Sequence, residues 1–349
     1  MRYPPIDPTL FVENRRRLAE RLKPGALAVL NSNDVMPTSA DGAHPFIQQT
    51  DLFYLSGIDQ EESTLVLFPG AREEKYREVL FLRETSDQIA LWEGKKYSRE
   101  EATAVSGVST VCWNDELDAV FRGLAGQAER ITLNSNEHPR ASSEVETRDG
   151  RFGRRCRERF PLHRYERLAP ILHHLRAVKS SVEVELIRQA AALTGRAFRR
   201  LLGVIRPGVW EFEIEAEIWH EFLRGRSRGP AFQTIVASGP DSCTLHYVKN
   251  DKRCLDGELV LLDFGAEYAH YAADLTRTVP VNGRFTPRQR AVYEAVLRVQ
   301  TAAVEMLRPG NTLDAYHAEV GRRMEAELIG LGVLDAARVR EQPPDRPLY

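Results

Sequence analysis

The stretch LVLLDFGAEYAHYAADLTRTVPV, residues 259–281, constrains the fold most, because it places two aspartates in an apolar run of strand character. Asp263 and Asp274 are eleven positions apart, so on one continuous strand they would face opposite sides. A hairpin that pivots between Tyr268 and Ala269 places residue 263 directly opposite residue 274. The turn residues EYAH contain no Asn-Gly or Asp-Gly pair, so the pivot could slip by one residue or by a bulge.

Two buried carboxylates on one sheet face need compensation, because like charges opposite each other are destabilising and burial adds a desolvation penalty. The pair could share a proton, or pair with cations such as Arg277. It could also hold a divalent metal ion, which prefers carboxylate oxygens. In a purely structural role, one aspartate would cap a turn and the other would be solvated. The pattern alone leaves the functional and the structural interpretation open.

Length and composition predict a two-domain globular protein. The chain has 349 residues, of which 42% are hydrophobic and 28% charged. Its net charge of −2 gives no overall attraction to nucleic acid or membranes, and no apolar run approaches the roughly 18 residues that span a bilayer. The Arg-rich run at 148–164 is interpreted as a solvated helix face. Four cysteines without C-x-x-C spacing indicate reduced thiols in a cytoplasmic protein.

The first half of the chain alternates strand-like and helix-like patterns, which is typical of a mixed α/β domain. The predicted strands are 26–32, 63–69, 77–83 and a short one from 131, and the predicted helices are 8–22 and 115–130.

The second half has an α+β pattern of helices, then strands, then helices. A helix begins at the Ser180/Glu183 capping box and ends near Ile205, and a second begins at residue 211. Strands follow at 232–238, 259–265 and 273–281, and a further helix begins at Thr286–Pro287.

Two segments resemble one known family. DGELVLLDFGAEYAHYAADLTRTVPVNGRFT, with TIVASGPDSCTLHY before it, resembles the metal-binding hairpin of the pita-bread metallopeptidases, specifically the Xaa-Pro aminopeptidases. HPFIQQTDLFYLSGIDQEESTLVLFPG, residues 44–70, resembles the N-terminal domain of that family, although Ile47 stands where the family commonly has a basic residue. The resemblance covers almost the whole chain. It implies an α/β creatinase-like domain at 1–170, a linker and helix start at 171–182, and an α+β pita-bread domain at 183–349.

The resemblance also implies a site. Asp263 would be a bidentate ligand of one metal ion and Asp274 would bridge two, with manganese as the usual ion and cobalt or zinc as substitutes. A hydroxide between the ions would attack the peptide bond before proline, releasing the N-terminal residue of peptides with proline in second position. His246 in CTLHY matches a catalytic, substrate-binding histidine. Trp92 in IALWEG matches a substrate-lining aromatic supplied by a neighbouring subunit, which implies a homodimer or homotetramer; a core tryptophan is the alternative.

The family's dinuclear site needs one histidine and two glutamates besides the two aspartates. After Asp274 the sequence contains one histidine, His317, which lies in a predicted amphipathic helix, matches no ligand position and is expected to be solvated. The chain ends at Tyr349, about where the family's histidine segment begins. We therefore expect a truncated pita-bread domain with an uncovered apolar sheet face, weak or no metal binding, and no activity by itself.

Two other functions are compatible with the same fold. One is a non-catalytic peptide-binding module, as in histone chaperones with pita-bread domains, and the other is a creatinase-like hydrolase that works without metal. The presence of both Asp263 and Asp274 favours the metallopeptidase, because two costly carboxylates have no evident use in either alternative.

Overall fold

The computed structural model describes residues 3–138, 140 and 144–342. The helices are α1 (Thr9–Ala19), α2 (Thr50–Ser56), α3 (Asp87–Glu93), α4 (Arg99–Ser106), α5 (Leu117–Ala125), α6 (Arg148–Arg159), α7 (Ala169–Ala177), α8 (Ser181–Leu201), α9 (Glu211–Arg224), α10 (Pro287–Met306), α11 (Leu313–Gly330) and α12 (Ala336–Arg340). The strands are β1 (Ala26–Asn31), β2 (Thr64–Leu67), β3 (Glu78–Leu82), β4 (Thr110–Trp113), β5 (Arg130–Leu133), β6 (Arg164–Arg167), β7 (Ile235–Ser238), β8 (Leu259–Phe264), β9 (Glu267–Tyr268), β10 (Tyr271–Ala272) and β11 (Leu275–Pro280).

The chain forms two compact units. The first contains the chain up to Ala190 together with Arg226–Arg228 and Glu267–Ala272. The second contains Ala191–Gly225, Gly229–Ala266 and the chain from Ala273 onward.

The first unit is built on a six-stranded sheet in the order β4-β3-β2-β1-β5-β6. Strand β2 is antiparallel to both its neighbours, and the other pairs are parallel. Both sheet faces are covered: along β1, Leu27 and Val29 enter one apolar cluster while Ala28 and Leu30 enter another. Strands buried on both faces consist of continuous apolar residues, which is why β1, β2 and β3 were recognisable in the sequence.

Several short elements of the first unit lie outside the predicted ones. Helices α2, α3, α4 and α7 and strands β4 and β6 have at most nine residues each, too few for a reliable period. Local capping by side chains begins three of these helices, α2, α3 and α4. Helix α4, for example, begins at a capping box formed by Ser98 and Glu101 and ends at Gly107 in the left-handed conformation.

The second unit contains an antiparallel sheet in the order β11-β8-β7. Along β8, Val260, Leu262 and Phe264 are buried, and Phe264 lies 6.2 Å from Phe222 of helix α9 between ring centroids. The predicted sequence of helices, strands and a Pro-initiated helix is confirmed. Helices α10 and α11 are the longest elements after this sheet. Within the described ranges, no helix is both long and apolar enough to cross a membrane.

The turn of the aspartate hairpin differs from the predicted one. Tyr268 pairs with Tyr271, so the pivot lies between Ala269 and His270 rather than one residue earlier. Both turn residues have positive φ, 51° and 65°. Two consecutive left-handed residues match the right-handed twist of the flanking strands, and here Ala and His adopt that conformation instead of Asn-Gly.

Candidate metal and substrate site

The two aspartates share one face of the β8–β11 pair. Asp263 pairs with Thr276, so the predicted direct pairing of Asp263 with Asp274 is wrong. Asp274 precedes Thr276 by two residues and is therefore the diagonal neighbour of Asp263 on the same face, because side chains alternate along a strand. The shift of the register by two positions preserves this face. Burial is the first cause that raises the pKa of Asp263, and the charge of Asp274 acts in the same direction, which agrees with neighbouring carboxylates.

Gly265 allows the two strands to approach next to Asp274. A Cβ atom at Gly265 would lie 1.7 Å from the carbonyl oxygen of Ala273 and 3.0 Å from the backbone nitrogen of Asp274. No side chain fits there without moving the backbone that precedes Asp274. The glycine thus keeps the two carboxylates within reach of each other.

Asp263 is the more buried of the pair. It is half-buried, and its Oδ1 is a buried oxygen without a hydrogen-bond partner among the described residues. Burial is the main cause that raises its pKa, with Asp274 acting in the same direction, while the Thr276 hydroxyl and His246 oppose them. Asp274 is exposed. The expectation of two buried charges is therefore wrong, because the face that carries Asp274 is open to solvent in the described part of the chain.

The donor chemistry of this pair fits a hard divalent cation. Two carboxylates, one with an unpaired buried oxygen, provide the ligands that Mn²⁺, Mg²⁺ or Ca²⁺ prefers. In the described part of the chain, however, no group of three or more His, Cys, Asp or Glu side chains is placed to hold a metal ion. The described residues thus supply two ligands of a site rather than a closed coordination sphere.

His246 lies in a loop that follows β7, and it is exposed. Its effect on the pKa of Asp263 places it in the electrostatic environment of the pair. Among the four predicted site residues, Asp263 and Asp274 thus lie on one hairpin, and His246 acts on Asp263 through its charge.

The loop that carries His246 is held by Glu211, which sequence reasoning missed. This fully buried carboxylate accepts hydrogen bonds from the backbone N–H and hydroxyl of Ser238 at 2.8 and 2.7 Å, from the Tyr247 hydroxyl at 2.8 Å, and from the Lys252 backbone N–H at 3.0 Å. Burial, followed by the bond to Glu211, raises the pKa of Tyr247. The signal was available, since Glu211 occupies the apolar stripe of α9 whose other buried members are Ile214, Ile218 and Phe222.

Asn250 fixes the same loop at a further point, between Tyr247 and Lys252. Its side-chain amide donates to the Thr234 carbonyl at 2.9 Å and to Glu215 at 2.8 Å, and its oxygen accepts from the Val236 N–H at 3.0 Å. The residue is buried and has a positive φ of 48°, which asparagine tolerates better than most residues. The backbone that follows His246 is thus held against β7 and α9.

Trp92 and His317 are the other two residues that the sequence singled out. Trp92, on α3 of the first unit, is 81% exposed, so the alternative of a core tryptophan is wrong. His317, on α11, is exposed, in agreement with the solvated role expected for it.

The sheet face next to the aspartates borders an open apolar groove of about 510 Å³. Its walls include Thr276 and Thr278 of β11 and Val292 and Val296 of α10.

Comparison with known proteins identifies the family. The model of metallopeptidase family M24 matches residues 185–341, and that of the aminopeptidase P N-terminal domain matches residues 11–133. The chain is 32% identical over 343 residues to the Xaa-Pro aminopeptidase of Escherichia coli K12, which covers 97% of this chain and 77% of that relative. This chain belongs to the Xaa-Pro aminopeptidase family.

Solved structures of family members agree in fold. The Pseudomonas aeruginosa aminopeptidase PepP superposes with a TM-score of 0.87 at 31% identity, covering 95% of this chain and 75% of that one. A variant of Escherichia coli aminopeptidase P in complex with substrate superposes with a TM-score of 0.85 at 32% identity, covering 97% and 78%. The predicted α/β N-terminal domain and α+β pita-bread domain are confirmed, as is membership of a metallo-exopeptidase family.

Proposed function

We propose that this chain carries part of the active site of a metal-dependent aminopeptidase that releases the N-terminal residue from peptides with proline in second position. The observation that carries the proposal is the placement of Asp263 and Asp274 on one hairpin, where the strands approach closely at Gly265 and a buried Asp263 oxygen is left unpaired. In this proposal the carboxylates of Asp263 and Asp274 would hold the divalent ions. When bound, the ions, manganese or alternatively cobalt or zinc, polarise the peptide carbonyl and activate water near neutral pH.

His246 and Trp92 complete the proposed contacts with substrate. His246 is exposed on a loop fixed by Glu211 and Asn250, so its imidazole can hydrogen-bond a bound peptide from a defined backbone position. Trp92 presents an exposed indole, and we propose that it contacts substrate bound to a neighbouring subunit of a cytoplasmic homodimer or homotetramer. The proposed domain limits are 1–170 and 183–349, joined by 171–182.

The ligand count limits what the 349 residues can do alone. The complete family site needs one histidine and two glutamates beyond the two aspartates, and the described residues bring no third metal-binding side chain to this pair. We therefore propose that the 349-residue chain binds manganese weakly and does not hydrolyse Xaa-Pro peptides until the remaining ligands are supplied.

Manganese titration followed by electron paramagnetic resonance tests the ligand assignment. Asp274→Ala should weaken Mn²⁺ binding by at least about tenfold, because half of the anionic ligand charge is removed. The matched control is Asp314→Ala, an exposed aspartate in the first turn of α11, which should leave binding unchanged. Equal binding by the wild type and Asp274→Ala would contradict the ligand role.

An activity assay tests the incomplete site separately. Purified 349-residue chain with added manganese should show no release of the N-terminal residue from an Xaa-Pro peptide. Turnover that Asp274→Ala abolishes would support the aminopeptidase but refute the ligand count. Peptide binding that persists unchanged in EDTA would favour the non-catalytic module instead.

A further inference from the structure

Helix α6 forms the wall of a pocket that the proposed function leaves unused. The pocket has a volume of about 340 Å³ and is lined, among the described residues, by Arg148, Arg151, Arg154 and Arg155. The helix buries a different set of side chains against the sheet, including Phe152 and Cys156. Residues three, four and seven positions apart share one side of a helix, so the four guanidinium groups converge.

Only two of these four arginines have an ion-pair partner among the described residues. Arg151 pairs with Asp34 at 2.6 Å, and Arg154 pairs with Glu146 at 3.0 Å. Arg148 and Arg155 form no ion pair with a described carboxylate, although the Arg155 guanidinium lies 5.8 Å from the Phe152 ring centroid. Two of the four guanidinium groups thus have no ion pair among the described residues, and the like charges of Arg151 and Arg155, four positions apart, are unfavourable on a helix.

Arg148 distinguishes this pocket from a solvated surface, because it is partly buried. It is half-buried at the first position of α6, and no hydrogen bond joins its guanidinium to a described residue. Burial is the main cause that lowers its pKa; the charges of Glu62 and Asp34 oppose it, and those of Arg151 and Arg155 act with it. A partly desolvated cation with five donors and no acceptor is unfavourable, and it stands at the positive end of the helix dipole. An anion in the pocket would offset all three costs.

We infer that this pocket binds a small, multiply charged oxyanion: phosphate, or a small molecule that carries phosphate groups. Guanidinium groups form paired, parallel hydrogen bonds with phosphate oxygens, and two unpaired arginines match a doubly charged group. The volume accommodates a few linked phosphates rather than a polymer. Nucleic acid is disfavoured because Phe152, the aromatic residue of this helix, is buried and cannot stack on a base.

Calorimetric titration of the complete chain with orthophosphate, pyrophosphate and ATP at constant ionic strength tests the inference. Arg148→Gln and Arg155→Gln should each weaken pyrophosphate binding by about tenfold or more, because each removes a charge-assisted hydrogen-bond donor. Arg155 is exposed, so its variant retains the fold even if the half-buried Arg148 is needed for stability. The control is Arg157→Gln, an exposed arginine of the same helix that does not line the pocket.

The outcomes separate the possible ligands. Tighter binding of ATP than of pyrophosphate identifies a nucleotide as the carrier, and equal binding identifies the phosphate group itself. Three results would overturn the inference: no binding of any phosphate compound, equal weakening by Arg157→Gln, or binding of single-stranded DNA without binding of pyrophosphate. None of these measurements depends on metal or on peptidase activity.

Discussion

Replacing Glu211 by alanine should loosen the loop that holds His246. Glu211 is fully buried and accepts four hydrogen bonds, which the substitution removes together. Ser238 is buried, so leaving its N–H and its hydroxyl without an acceptor lowers the unfolding free energy by about 1–3 kcal/mol for each group. Tyr247 is half-buried and Lys252 is exposed, so water replaces the acceptor for both. The expected loss of unfolding free energy is therefore about 2–6 kcal/mol.

The Glu211→Gln variant separates the hydrogen bonds from side-chain volume. Glutamine keeps one oxygen for Ser238, while its amide N–H₂ faces the Lys252 N–H, so the loss should be smaller, about 1–2 kcal/mol. Glu213→Gln is the matched control, because Glu213 is exposed on the same turn and glutamine can still complete its capping box.

Urea denaturation and native-state hydrogen exchange measure the two parts of this effect. The unfolding free energy should fall in the order control, Gln, Ala, and the Ser238 amide should exchange faster in the Ala variant because its acceptor is gone. A loss below about 1 kcal/mol in Glu211→Ala, with unchanged Ser238 protection, would refute the reasoning. Equal losses in the Gln and Ala variants would refute the graded ranking.

Two buried titratable groups give opposite pH effects. Burial lowers the pKa of His270 from 6.5 to about 4, and the charge of Arg228 acts in the same direction. The His270 Nε2 lies 3.4 Å from Asp59, but that carboxylate already pairs with Arg228. The unfolded state therefore binds more protons between pH 6.5 and 4, and the unfolding free energy should fall by up to about 3 kcal/mol as pH falls through this window. Urea melts of His270→Asn, in which asparagine tolerates the positive φ, should show a shallower dependence of unfolding free energy on pH. An unchanged dependence would contradict this. Burial raises the pKa of Asp149 from 3.8 to about 6, so its ionisation costs stability as pH rises through that window. Asp149→Asn should consequently destabilise more at pH 4 than at pH 8, and the reverse order in thermal melts would show that the carboxylate is not penalised by burial.

The sequence located the aspartate hairpin but not its register. Side chains alternate between the two faces of a strand. In any hairpin whose pivot lies between two residues, two residues on opposite strands share a face when an odd number of positions separates them. Asp263 and Asp274 are eleven positions apart, so they share a face wherever such a pivot lies. The pivot itself depends on Ala269 and His270, neither of which is a turn residue by type. Ala269 is fully buried in an apolar cluster, and His270 packs on Phe53 at 4.0 Å between ring centroids. Contacts with a helix more than 200 residues earlier in the chain thus support a turn that local propensity disfavours.

What the sequence by itself determined is what local periodicity and residue type encode: the buried strands β1–β3, the alternation of β8, the capped helices, and two aspartates in one hairpin. Only the tertiary structure decided which charges are buried, because burial depends on residues distant in the chain. It left Asp274 exposed, enclosed Glu211 among four donors, and gathered four arginines of α6 around one pocket. A charged residue in a sequence indicates that electrostatics will contribute to stability. Whether that contribution is favourable, and how large it is, depends on solvent access and on partners, which only the folded chain defines.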